Sequence, residues 1–171
     1  MNKSIVKKIL YIILIVSWMA LIFAFSNMGA EGSDAQSTGL SKIIVDGTAE
    51  FLKNIGIFKE MPSRVDLDNV IEAINTPVRK CAHAAEYFVL TILVLWALRD
   101  KDTWNIDIKK ACLIALGICF IYSLTDEFHQ IFIPGRSGEL KDCINDTLGG
   151  LVAVIVYITF YNIKKRLKKG H

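Results

Sequence analysis

The sequence predicts an all-α integral membrane domain: a four-helix transmembrane bundle with an amphipathic helix in its first outer segment. Three observations predict it. Apolar residues make up 53% of 171 residues at a mean hydropathy of +0.40. They gather in four blocks about as long as the roughly 20 residues that cross a hydrocarbon core of about 30 Å as a helix. No two-residue alternation marks barrel strands, so the blocks are read as helices, which satisfy their own backbone groups in lipid. A net charge of +3 does not by itself suggest nucleic-acid binding, and four cysteines are too few for a disulfide scaffold.

The first helix is placed at about 9–28, where no charge interrupts Ile9–Ala30. Its apolar run is longer than a signal-peptide core and no A-x-A site follows, so it reads as a retained span. The outer segment opens with Gly32, Ser33, Ser37 and Gly39, read as a flexible start. Leu40, Ile44, Phe51 or Leu52, and Ile55 then recur at helical spacing. This amphipathic segment, about 38–57, either lies on the membrane surface or caps the bundle. A short helix is expected over Asn69–Asn75, ended by Thr76-Pro77. The second span follows at about 80–98, the third at about 111–133 and the fourth at about 143–163. All 171 residues are read as one domain.

The basic residues orient the bundle. Lys3, Lys7 and Lys8, the connection after the second span, and the tail with Lys164, Lys165, Arg166, Lys168 and Lys169 hold 12 basic and 3 acidic residues. The opposite side holds 8 basic and 14 acidic ones, so the two sides carry +9 and −6. Basic flanks stay cytoplasmic, which predicts both termini inside a plasma membrane. The tail is a stop-transfer anchor that also meets anionic lipid.

Three segments then deliver ionisable residues to one outer depth. The second span brings Arg79, Lys80, His83 and Glu86, with His83 and Glu86 on one face. The third brings Asp126, Glu127, His129 and Gln130. Asp126 shares a face with His129 and Gln130, and Glu127 is expected to point elsewhere. A Pro134-Gly135 turn presents Arg136, and the fourth span starts with Asp142, Asn145, Asp146 and Gly149. Ionisable groups at membrane depth face a bundle interior or a watery cavity. Buried charge needs partners, and the expected pairs are Glu86 with Lys80 or Arg136, and Asp126 with Arg136. Cys81 and Cys143 lie near the same face, as free thiols or as a disulfide.

Three stretches carry a family resemblance. They are Arg79-Lys80-Cys81-Ala82-His83-Ala84-Ala85-Glu86-Tyr87, then Thr125-Asp126-Glu127-Phe128-His129-Gln130-Ile131-Phe132-Ile133-Pro134-Gly135-Arg136, then Asp142-Cys143-Ile144-Asn145-Asp146-Thr147-Leu148-Gly149-Gly150. The pattern K-x-x-H-x-x-E-Y, D-E-x-H-Q-x-F-x-P-x-R, D-x-x-x-N-x-x-G resembles the VanZ-like family, with Asp146 where Asn is usual. Ser26, Ser33, Ser37 and Ser41 also look like its first outer segment, so the resemblance runs from about Ile9 to Tyr161. It implies a small bacterial membrane protein related to one associated with low-level resistance to teicoplanin, a lipid-bearing glycopeptide that binds cell-wall precursors. Carried over position by position, it implies Lys80, His83, Glu86, Asp126, Glu127, Gln130, Arg136 and Asp142 as functional residues.

Three functions fit these residues. In the first, a non-enzymatic protein binds or shields an outer-leaflet, lipid-linked or glycopeptide ligand, with Lys80 and Arg136 holding a phosphate or carboxylate. Gln130, Asp142 and Asp146 complete that ligand site. In the second, a membrane-embedded hydrolase or transferase uses His83 or His129 as acid or base, tuned by Glu86, Asp126 or Glu127. Arg136 then stabilises developing negative charge. The third is a transporter-like or structural bundle. A metal version of the enzyme would draw on His83, Glu86, Asp126 and His129, but H-E-x-x-H is missing and no metal or other cofactor is expected. The expected partner is membrane lipid, with no nucleic acid.

Overall fold

The computed structural model describes residues 2–168; Lys169 of the basic tail lies outside them. The described residues form five helices: α1 (Lys3–Ser26), α2 (Ala30–Asn54), α3 (Arg64–Arg99), α4 (Ile108–Gln130) and α5 (Leu140–Leu167). All but α2 are long and apolar enough to cross a membrane, so the chain is a multi-pass membrane protein. The helix starts are fixed locally. Asn2, Ser63 and Asp107 each accept a hydrogen bond from a backbone N–H of the first turn of α1, α3 and α4.

α3 is the axis and packs against every other helix. The core around it joins Ile22 of α1, Leu90, Val94 and Leu95 of α3, Ala115 and Cys119 of α4, and Val154 of α5. α1 leans on this core through Ile15, Trp18, Met19, Ile22 and Ser26, a narrow stripe at three- and four-residue spacing. Its other faces expose Ile9, Leu10, Ile13, Leu14 and Val16, as lipid contact requires. α1 and α4 run one way and α3 and α5 the other. One end, the basic end, gathers the start of α1, the α3–α4 connection and the end of α5. There Lys7 bridges Asp100 at 2.7 Å and Asp102 at 2.9 Å, and the Tyr11 hydroxyl donates to Asp100. The opposite end holds the polar residues.

Two expectations about the outer segment are overturned. The serine-rich start is not flexible: α2 begins at Ala30, and Ser33, Ser37, Ser41, Val45 and Ala49 form its buried face at four-residue spacing. These small side chains let α2 lie against α3, which a polarity count cannot reveal. Nor does Pro77 end a separate helix. α3 runs unbroken through it, because Leu67 and Ile71 of the preceding turns bury against Val45 and Ala49. Tertiary packing outweighs one missing hydrogen bond. The antiparallel α2–α3 hairpin is pinned by Arg79–Asp34 at 2.6 Å and Arg64–Asp46 at 2.9 Å. α3 has 36 residues, or about 54 Å of helix, so it projects well beyond a hydrocarbon core of about 30 Å. The amphipathic segment is therefore a packed partner of that projection, with Leu40, Ile43 and Phe51 left exposed on its other side. Of the remaining spans, α1, α4 and α5 begin three to six residues earlier than expected, α5 runs on to Leu167, and α1 and α4 stop two and three residues sooner, at Ser26 and Gln130.

Two consequences can be measured. A Cβ at Gly149 would run into the Ala84 backbone of α3. Gly149→Ala is expected to destabilise the bundle by about 1–3 kcal/mol, whereas Gly117→Ala, with open space around it, should not; thermal unfolding in detergent compares the two. The second concerns acid. The hydrogen bond from Lys7, aided by Tyr11, holds the Asp100 pKa below its usual 3.8. A depressed carboxylate stabilises the fold above its unfolded pKa and loses that effect as pH falls through the folded one. Asp100→Asn is expected to lower the unfolding temperature at neutral pH, with the gap closing as pH falls below 3.8.

Candidate functional site

A cavity of about 260 Å³ opens at the polar end, between α3, α4, the start of α5 and the 131–139 connection. Lys80, His83, Glu127, Arg136, Asp142 and Asp146 stand in its wall. A smaller cavity of about 50 Å³ lies on the other side, among α1, α2 and α3, with Phe25, Ser33, Ser37 and Glu86 in its wall. Arg79, His83 and Arg136 line both, so they form the partition between the two.

Each side chain has a local reason to be there. The α4 face that turns inward reads Cys119, Ser123, Asp126, Glu127 and Gln130, small and polar residues in an otherwise apolar helix. The Gln130 amide nitrogen donates to Asp126 at 3.2 Å and to Glu127 at 3.5 Å, and its oxygen accepts from the Arg136 guanidinium at 3.3 Å. One neutral side chain thus separates two carboxylates from a cation. Glu127 also accepts the Glu139 backbone N–H at 2.9 Å, so an α4 carboxylate caps the start of α5. Gly138 permits this, since a Cβ there would strike the Glu127 carbonyl. On α5, Asp146 is 1% exposed and accepts from Ser123 at 2.8 Å, and Asn145 donates to the Lys80 carbonyl at 2.8 Å. Lys80 bridges Asp142 at 2.6 Å. On α3, His83 Nδ1 stands 3.4 Å from Glu86 Oε2.

Arg136 differs from the other cations. Lys80 and Arg79 each have a carboxylate partner at 2.6 Å, whereas the partner of Arg136 is the Gln130 amide. Among the described residues no carboxylate forms an ion pair with it. Its pKa lies below the usual arginine value because of burial first and of the neighbouring Arg79 guanidinium second.

The arrangement corrects four expectations. Glu127 does not point elsewhere; it is buried with Asp126, because the 131–139 connection and α5 enclose α4 over an arc wide enough for both. His129 leaves the cluster. It stacks on Phe23 at 4.5 Å and lies 3.3 Å from the Asn27 side chain, so it lines neither cavity. Glu86 stands against His83 rather than Lys80 or Arg136, and Asp126 is bonded by Gln130 rather than paired with Arg136. All four cysteines are free, with Cys81 exposed and Cys143 buried. Among the described residues no three His, Cys, Asp or Glu side chains converge as metal ligands would. Ser123, Asp34 and the bridging geometry of Gln130 were not anticipated. The signal for Ser123 was its place one turn before Asp126 and Glu127 on α4.

The VanZ/LLP1 family model matches residues 11–161, which include all five helices in whole or large part. The chain belongs to the VanZ/LLP1 family. An uncharacterized protein of Schizosaccharomyces pombe is 26% identical over 99 residues, 57% of this chain and 56% of that protein. The match thus spans little more than half of this relative's length. No solved structure matches the chain.

The Ser123–Asp146 contact crosses the α4–α5 interface at full burial, where removing one partner strands the other. Ser123→Ala and Asp146→Asn are expected to be non-additive by about 0.5–3 kcal/mol in a double-mutant cycle of unfolding in detergent.

Proposed function

We propose that this family member holds the anionic headgroup of an amphiphilic cell-envelope molecule in its polar cavity, at the outer face of a bacterial plasma membrane. By acting on or shielding that molecule, it lowers susceptibility to lipoglycopeptides such as teicoplanin. The observation that carries the reading is Arg136, half-buried in the wall of both cavities with a neutral amide as its partner. A half-buried guanidinium without an ion-pair partner keeps donors free for an anion, and its planar fork matches a phosphate or carboxylate. The Gln130 amide turns its N–H groups to the carboxylates and its oxygen to Arg136, leaving the guanidinium's other donors for a ligand. The distribution of 12 basic residues against 3 acidic ones supports both termini in the cytoplasm, which sets the cavity outside. The fission-yeast relative supports defining the ligand by its chemistry rather than as one bacterial wall precursor.

A second reading has its own observation. His83 and Glu86 stand 3.4 Å apart at the partition, next to Arg136. In a membrane-embedded hydrolase or transferase, His83 would move the proton, Glu86 would hold its imidazolium form, and Arg136 would stabilise the developing anion.

Expression in a glycopeptide-sensitive Gram-positive host tests both. The wild type is expected to raise the teicoplanin inhibitory concentration about fourfold, a shift of about 0.8 kcal/mol in effective binding. It should raise that for vancomycin less. Arg136→Ala is expected to return it to the empty-vector value at equal membrane abundance. Loss in His83→Ala and Glu86→Gln as well favours the enzyme, and their retention favours binding alone. No shift for the wild type would remove the resistance reading.

A further inference from the structure

The basic end carries a second recess, remote from the polar cavity. It is an open groove of about 790 Å³ between α3 and α5. Its α3 wall is Phe88, Ile92 and Trp96, one residue per turn over about 12 Å of helix. Its α5 wall is Val156, Tyr157 and Phe160. Trp96 is 53% exposed and Phe160 69%, so these rings cover no protein core. The rim is of one sign: Arg99, Lys101, Lys164, Lys165 and Lys168, with no acidic residue lining the groove. Arg99 is held in place from two sides. It donates to the Ile106 carbonyl, and its guanidinium lies 5.4 Å from the Tyr161 ring centre.

We propose that this groove binds one anionic phospholipid, its acyl chain between the aromatic walls and its headgroup at the basic rim. The charge pattern selects this occupant. A second copy of the chain would bring the same basic end against the rim, and like charges repel. A soluble anion would match the rim and leave the apolar walls uncovered. An amphiphile with an apolar chain and a negative head satisfies both. This goes beyond general contact of the tail with lipid, since it assigns one molecule to one groove. It is also independent of the function proposed for the polar cavity.

Tryptophan quenching tests it. The full chain is reconstituted in phosphatidylcholine vesicles holding a minor fraction of chain-brominated phosphatidylglycerol or of chain-brominated phosphatidylcholine. The Trp96 signal is the difference between wild type and Trp96→Phe, whose emission reports Trp18 and Trp104. Brominated phosphatidylglycerol is expected to quench Trp96 at about one-fifth the mole fraction that phosphatidylcholine needs, a preference near 1 kcal/mol. The quadruple variant Lys101→Gln, Lys164→Gln, Lys165→Gln, Lys168→Gln, which leaves Arg99 and the walls intact, is expected to abolish the preference. Equal quenching by the two lipids in the wild type overturns the proposal, and so does a preference that survives the quadruple variant. The same preference in Trp18 and Trp104 would mean enrichment over the whole basic surface and also overturns the groove. Trp96 unquenched by either lipid in a protein that runs as a dimer would assign the groove to a second copy.

Discussion

The polar end of this bundle is organised by the cost of placing carboxylates where water is scarce. Asp126, Glu127 and Asp146 are buried in helices that otherwise suit hydrocarbon. Each is held from a different direction: Asp126 by the Gln130 amide, Glu127 by the Glu139 backbone N–H, and Asp146 by the Ser123 hydroxyl. Those three requirements explain much of the local architecture. They fix the face α4 turns inward, the path of the 131–139 connection and the point at which α5 begins. Gly138 follows from them, since a Cβ there would strike the Glu127 carbonyl.

What remains after these contacts is chemically selective. Glu127 is bonded through both oxygens and Asp126 and Asp146 through one each, Lys80 and Arg79 are paired with carboxylates, and Arg136 meets the cavity with a neutral side chain behind it. The proposed ligand is accordingly an anion, although acids outnumber bases around the cavity. Residue counts alone would have suggested the opposite.

The spans were legible because hydrocarbon demands long apolar helices, and composition records that demand directly. The site depth was legible too, since Lys80, His83, Asp126 and Asp146 interrupt apolar blocks at corresponding positions. Pairing was not. Whether Glu86 meets His83 or Lys80 depends on helix rotation of a few tens of degrees, which sequence spacing does not fix. Glu127 was misread because a helix enclosed on two sides buries neighbours about 100° apart. The α2 helix was only half legible, since its buried stripe consists of three serines, a valine and an alanine rather than large apolar residues. Pro77 signals a helix end by its local chemistry alone, whereas Leu67 and Ile71, which pack on α2, carry the helix through it.

That unbroken α3 has a mechanical meaning. One rod carries the extramembrane hairpin, the partition residue His83 and the wall of the basic-end groove, in that order along its axis. A force applied to the hairpin therefore reaches the cavity without passing through a loop. The rod has one soft joint: Pro77 lacks the N–H that would tie it to the preceding turn, and it lies one turn ahead of Lys80. A bend in α3 costs least there, so a tilt of the hairpin would be taken up beside Lys80, at the cavity wall, rather than carried into the half of α3 beyond it.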